Sequence, residues 1–182
     1  WQKPHKHKNG ARSTLQKEVL KGSLSNSDKH DGRVVRKKKD SLTKTRKKKH
    51  NASKNKALTW QWPIRGGKLL QVFDANDPGK SGLDIGGNDG QSVFSVSSGR
   101  VVYSGGGLPR YGKLIIVKHN DVFLSAYAHN RDLLVKEGDW VKLGQVIARM
   151  GNSGTSKVKL HFEIRRNGRA INPLGVLPKR MP

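Results

Sequence analysis

Leu160-His161-Phe162-Glu163-Ile164-Arg165 alternates apolar and polar side chains, residue by residue. In an extended chain successive side chains point to opposite faces, so Leu160, Phe162 and Ile164 share one face of a strand. The same reading extends to stretches rich in β-branched and aromatic residues: Gln91–Val96, Arg100–Ser104, Lys113–Lys118, Val122–Ala128 and Gln145–Met150. Glycines punctuate them, among them Gly86-Gly87, Gly105-Gly106-Gly107, Gly138, Gly144, Gly151 and Gly154. Short strands at close spacing with turn residues between them predict an all-β domain, an antiparallel sheet closed as a sandwich or barrel. No window of this region offers a convincing amphipathic helix.

Outward from this region the composition changes abruptly at Trp60. A chain of 182 residues holds one ordinary domain plus a tail, and we assign 60–182 to the domain and 1–59 to the tail. The tail carries 19 Lys+Arg against 4 Asp+Glu (19 − 4 = +15), the domain 18 against 9 (18 − 9 = +9), which together give the net +24. Arg36-Lys37-Lys38-Lys39 and Arg46-Lys47-Lys48-Lys49 dominate the tail, and large apolar side chains are sparse. Such a segment buries too little surface to offset its ordering entropy, so a basic, largely disordered tail is expected. Two readings of the lysine runs stay open: a solvated linker, or electrostatic attachment to an anionic polymer or membrane surface. No aromatic lies between Trp1 and Trp60 to stack on bases, so specific nucleic-acid recognition is not expected.

Cysteine is absent, which excludes disulfides and thiolate metal sites and fits a cytosolic or a periplasmic protein equally. No apolar run approaches the roughly 18–20 residues of a membrane span. The chain starts at Trp1 rather than Met, as expected of a mature or trimmed piece.

The polar residues worth following are Asp84, His119, His129, His161 and Glu163. Asp84 sits inside Gly82-Leu83-Asp84-Ile85-Gly86, and a buried carboxylate there needs a partner. His129 closes Leu124-Ser125-Ala126-Tyr127-Ala128 and His161 opens Phe162-Glu163-Ile164. A carboxylate and histidines from separate strands are compatible with a metal site, or with hydrogen-bonded structural groups. His119 is expected on an exposed strand end, with no role.

Several blocks resemble the LytM (lysostaphin-type) zinc peptidases in order and spacing over about 120 residues. They are Trp62-Pro63 with Gly66, Gly82-Leu83-Asp84-Ile85, Gly99-Arg100-Val101-Val102-Tyr103, Tyr111-Gly112-Lys113-Leu114-Ile115-Ile116, Tyr127-Ala128-His129, Gly144-Gln145-Val146-Ile147-Ala148, the opening stretch at 160–165, and Asn172-Pro173-Leu174. The resemblance implies a central groove. It also implies a zinc held by a His-x-x-x-Asp segment and the second His of His-x-His, with two further histidines handling the attacking water. On this chain those positions read Lys80, Asp84 and Lys159-Leu160-His161, with His129 intact. An ammonium offers no lone pair to a metal, so no cofactor and no hydrolysis are expected, Asp84 and His161 being remnant ligand positions. Lys80 is expected to fill the vacancy by pairing with Asp84.

Degenerate domains of this kind resemble murein hydrolase activators of the NlpD type, here most closely in Ile115–Asp121, Leu124–Asn130 and Gly154-Thr155-Ser156. The resemblance implies a periplasmic domain, attached to the outer membrane in the full-length protein. It would bind and activate an N-acetylmuramoyl-L-alanine amidase during septal wall splitting and daughter-cell separation. The groove offered to that partner comprises Lys80, Asp84, Tyr103, Arg110, Tyr111, Tyr127, His129, Lys159 and His161. A peptidoglycan-binding scaffold without an enzyme partner and a residual zinc endopeptidase are the alternatives. Charge reversal at Lys159 is expected to weaken activation with the fold intact.

Overall fold

The computed structural model of the chain describes residues 58–179. The expectation for the basic tail lies outside the described residues, except at its last two positions. The strands are β1 (Lys68–Gln71), β2 (Leu83–Gly86), β3 (Ser92–Phe94), β4 (Gly99–Gly105), β5 (Lys113–Lys118), β6 (Phe123–Leu133), β7 (Trp140–Val141), β8 (Val146–Met150), β9 (Lys159–Arg166) and β10 (Arg169–Ile171). They form one 10-stranded sheet ordered β1-β2-β9-β6-β5-β4-β7, with β10 on β9 and β8 pairing both β3 and β6. The pairings are antiparallel throughout, and the only helical pieces among the described residues are 3-10 turns at Pro78–Lys80 and Pro173–Gly175. The all-β class is as the alternation predicts.

The pleat explains how one sheet carries both a core and a site. Leu160, Phe162 and Ile164 of β9 join Leu83, Ile85, Val101, Ile115, Val117, Tyr127 and Val141 in the main core. Each large apolar side chain buried there contributes on the order of 1.5–3 kcal/mol before entropy is charged against it. The opposite face carries a smaller cluster, Leu114, Ile116, Leu124, Ala126 and Ala128 under Leu108 of the β4–β5 loop. Strand β9 is paired along both edges, by β2 and β6; the main core covers one of its faces, Ser81 and Tyr111 lie against the other, and residues 160–164 are all buried. The polar members of the alternation are thus forced inside.

Strand β6 runs past its expected end at Ala128. It continues through a register shift around His129, whose φ of +65 is the left-handed value. Asn130 staples this bulge by donating to the carbonyls of Lys113 and Tyr127. Gly112 (φ +59) lets the neighbouring loop approach, since a Cβ there would stand 2.1 Å from the Ser153 carbonyl oxygen. His119 is not on an exposed strand end. Its ring turns inward against Trp60, with Nδ1 at 2.9 Å from the Ser98 carbonyl and Nε2 at 2.8 Å from Ser125 Oγ. Burial pushes its pKa down to about 4 despite the Ser98 contact.

Candidate functional site

Asp84 of β2 lies opposite His161 of β9 in the antiparallel register. Both project from the face opposite the main core, where alternation also places Lys159, Glu163 and Arg165. His161 sits between two carboxylates, Nδ1 at 2.7 Å from Asp84 Oδ1 and Nε2 at 3.1 Å from Glu163 Oε1. A carboxylate can only accept, so both ring nitrogens donate and the ring is an imidazolium. Lys159 Nζ donates to Asp84 Oδ2 at 2.6 Å, and Arg165 Nε to Glu163 Oε2 at 2.7 Å. Charges therefore alternate along Lys159–Asp84–His161–Glu163–Arg165. Ser81 Oγ at 2.6 Å and the Tyr111 hydroxyl at 3.0 Å complete the donors to Glu163.

Burial alone would raise the Asp84 carboxyl, but His161 and Lys159 hold it down at about 2. Glu163 follows the same balance, with His161, Arg165 and Ser81 outweighing burial, and also lies at about 2. Burial would push the His161 imidazole down; Asp84 and Glu163 overcome it and raise it to about 9. His129 has the opposite outcome: burial lowers it, His161 and Lys159 add to the effect, and the Ser153 carbonyl only partly opposes them. Its Nδ1 donates to that carbonyl at 2.8 Å, which leaves Nε2 as the acceptor of a neutral ring.

These values fix a pH profile. His161 has a folded pKa above its ordinary 6.5, so its contribution is complete below 6.5 and lost as pH rises through about 9, on the order of 3 kcal/mol. His119, held near 4, withholds a proton that the unfolded chain takes up, so stability falls as pH drops from 6.5 toward 4. The contributions of Asp84 and Glu163 are lost below that, as pH falls through about 2. Urea unfolding from pH 4 to 9.5 is expected to show maximal stability near 6.5. An alkaline limb as flat in the native chain as in His161→Gln would refute the imidazolium.

Above the network lies a groove of about 520 Å³, lined by Asp84, Arg110, Tyr111, His129, Lys159 and His161 together with Gln71, Gly79, Ser81 and Thr155. Three of the residues expected there lie elsewhere. Tyr127 is fully buried in the main core, its hydroxyl accepting from the Val96 amide and from Ser125 Oγ, because β6 alternation turns it inward. Tyr103 packs against the smaller cluster and accepts from the Gly107 amide. Lys80 does not pair with Asp84. It ends the 3-10 turn, 3.2 Å from Asp77 and 4.0 Å from Asp74, facing a second concavity beside Leu70 and Phe73. The partner of Asp84 is Lys159, so a glutamate at 159 would confront a buried carboxylate and cannot be neutral to the fold. Glu163 and Arg165, which are not among the expected groove residues, complete the network. Their signal was the polar half of the 160–165 alternation.

The zinc ion of lysostaphin-type enzymes does not fit these residues. Both nitrogens of His161 and both oxygens of Asp84 are committed to side-chain partners. Among the described residues no group of three or more His, Cys, Asp or Glu could hold a metal.

Comparison with known proteins agrees with this fold. The chain is 53% identical over 122 residues to the murein hydrolase activator NlpD of Escherichia coli, covering 67% of this chain and 32% of that protein. It is 54% identical over 121 residues to a lipoprotein NlpD/LppB homolog of Pseudomonas aeruginosa, covering 66% of this chain and 40% of that protein. The chain thus spans about a third of the length of the curated relatives it matches. Among solved structures, a zinc-containing peptidase from Vibrio cholerae superposes with a TM-score of 0.61 at 27% identity, over 66% of this chain and 41% of that one. The model of peptidase family M23 matches residues 78–173, more than half of the chain, and the chain belongs to that family.

Proposed function

We propose that this domain is a non-catalytic activator of a peptidoglycan N-acetylmuramoyl-L-alanine amidase, acting in septal wall splitting. The observation that carries the reading is His161 held as an imidazolium between Asp84 and Glu163, with Lys159 on the remaining oxygen of Asp84. Lysines at 80 and 159 stand where zinc peptidases of this family use histidines, and the ammonium of Lys159 with the His161 proton supplies the positive charge that a metal would bring. A peptidase groove without its metal is still a concave surface shaped for a polypeptide. The name of the Escherichia coli relative, a murein hydrolase activator, supports the same role. Relatives named as lipoproteins, one of them an outer membrane antigenic lipoprotein of Haemophilus influenzae, support attachment of the full-length protein to the outer membrane, with this domain on the periplasmic side.

The test adds the chain to a purified amidase and follows dye release from labelled sacculi. Stimulation by the native chain is expected, and an at least tenfold weaker response to Arg110→Glu. Arg110 is an exposed groove residue outside the buried network, so its reversal perturbs docking and not folding. An amidase no faster with the chain than without it would sink the reading.

A further inference from the structure

Trp140 is the most exposed large apolar side chain of the described domain, 75% accessible, on a two-residue strand at the end of the sheet path. Its register decides what surrounds it. Trp140 pairs with Arg100, Arg100 with Lys118, Lys118 with Leu124, and Leu124 with Arg165. Directly paired residues share a face. The flanking residues Val101, Val117, Val141 and Ile164 all enter the main core, so the row projects from the opposite face, the one that carries Asp84, His161 and Glu163. Arg165 is sequestered by Glu163 and Leu124 is buried, which leaves Trp140, Arg100 and Lys118 as the outward part. Lys118 reaches Asp121, whose side chain is 99% accessible, and among the described residues Arg100 Nε reaches only the Gly138 carbonyl at 3.4 Å.

An indole face beside cations presents a flat platform for the apolar face of a sugar ring and charge for carboxylates. We infer that Trp140, Arg100 and Lys118 form a binding strip for the carboxylate-bearing glycan strand of peptidoglycan, separate from the groove. The choice of occupant rests on the activator reading, because an activator of a murein-cleaving enzyme works on that polymer. It also rests on charge: the polymer carries carboxylates, and Arg100 beside Trp140 has no acidic partner among the described residues. From Arg165 to Trp140 the row crosses four strand spacings, roughly 20 Å at about 4.8 Å each. A strand held at Trp140 therefore leaves the groove open for the amidase.

The experiment follows the four tryptophan indole N–H signals of the full chain by NMR, with Trp140 assigned through Trp140→Phe. The probe is a soluble disaccharide-tripeptide from digested murein, at about 0.3 M salt to screen diffuse attraction by the basic tail. A saturable shift of Trp140 is expected. Trp62, whose Nε1 donates to the Pro178 carbonyl inside the core, is expected to stay fixed. Arg100→Glu is expected to weaken binding at least tenfold with the Trp62 signal unchanged, Trp140→Ala to weaken it as much when binding is read by titration calorimetry, and Arg110→Glu to leave binding intact. An uncharged chitin oligosaccharide that shifts Trp140 as strongly would overturn the carboxylate half. A Trp140 signal that ignores the muropeptide but moves with phosphatidylglycerol vesicles, or with purified amidase, would overturn the strip as a glycan site. If the native chain fails to stimulate the amidase yet Trp140 binds the muropeptide, the activator reading falls and the strip stands.

Discussion

Replacing Glu163 with alanine is expected to cost about 3–5 kcal/mol of unfolding free energy, more than any surface change in this domain. Glu163 is fully buried and accepts from Ser81, Tyr111, His161 and Arg165. Its removal leaves the Arg165 guanidinium with the Gly168 carbonyl and the His161 imidazolium with Asp84 alone, and the penalty is that of charges left short of partners, not the net worth of the ion pairs. The His161 pKa should fall at the same time, because one of the two carboxylates that lift it is gone. Glu163→Gln keeps the shape and an acceptor oxygen and should lose less. Urea unfolding at pH 6.5 checks the energies and histidine NMR titration checks the pKa. A loss below about 1 kcal/mol for Glu163→Ala would mean that water replaces the carboxylate at no cost and that the network does not hold the site together.

How much of this was legible in the sequence depends on the length of the pattern. In β9, seven of the eight residues, Lys159 to Arg165, alternate, so strand, face and core membership follow from the pleat. β7 spans two residues and β10 three, too short for alternation to register. What marks β10 instead is Asn167-Gly168, where φ values of +50 and +77 join Arg166 to Arg169 in a two-residue hairpin turn. Asp84 between apolar neighbours announced a buried carboxylate, but not which lysine would reach it. Lys80 and Lys159 are both cations, and only the register of β2 on β9 selects the second. Lys80 is drawn off by Asp77, which also caps its own turn. His119 and Tyr127 depart from expectation for a common reason: each is a polar-tipped ring turned inward, and their hydroxyl and imidazole meet through Ser125. Residues 31 positions apart, such as Val96 and Tyr127, meet through contacts that no local window contains.

That same register makes Lys159 the sharpest probe of the groove, because it belongs to both the fold and the surface. Its side chain is 21% accessible while that of its partner Asp84 is 8% accessible. Lys159→Glu sets a second carboxylate against Asp84 Oδ2, where the ammonium now stands at 2.6 Å. Like charges at that range cannot both stay ionised, so one carboxyl must take up a proton near neutral pH. The expected cost is about 3 kcal/mol or more, shrinking as pH is lowered toward 5 and the added proton becomes cheap. Lys159→Met keeps the aliphatic stem and deletes only the ammonium. Asp84 then retains His161, so a loss of about 1–2 kcal/mol is expected. Amidase stimulation must be normalised to the folded fraction of each variant. On that basis Lys159→Met is expected to stimulate at least fivefold less than the native chain, because it removes a groove cation without reversing one. If folded Lys159→Met activates as well as the native chain while Arg110→Glu does not, the partner reads the rim of the groove and the ammonium of Lys159 serves Asp84 alone. If both activate fully, the partner docks away from the groove, and the alternating charges of β9 hold the fold without meeting the enzyme.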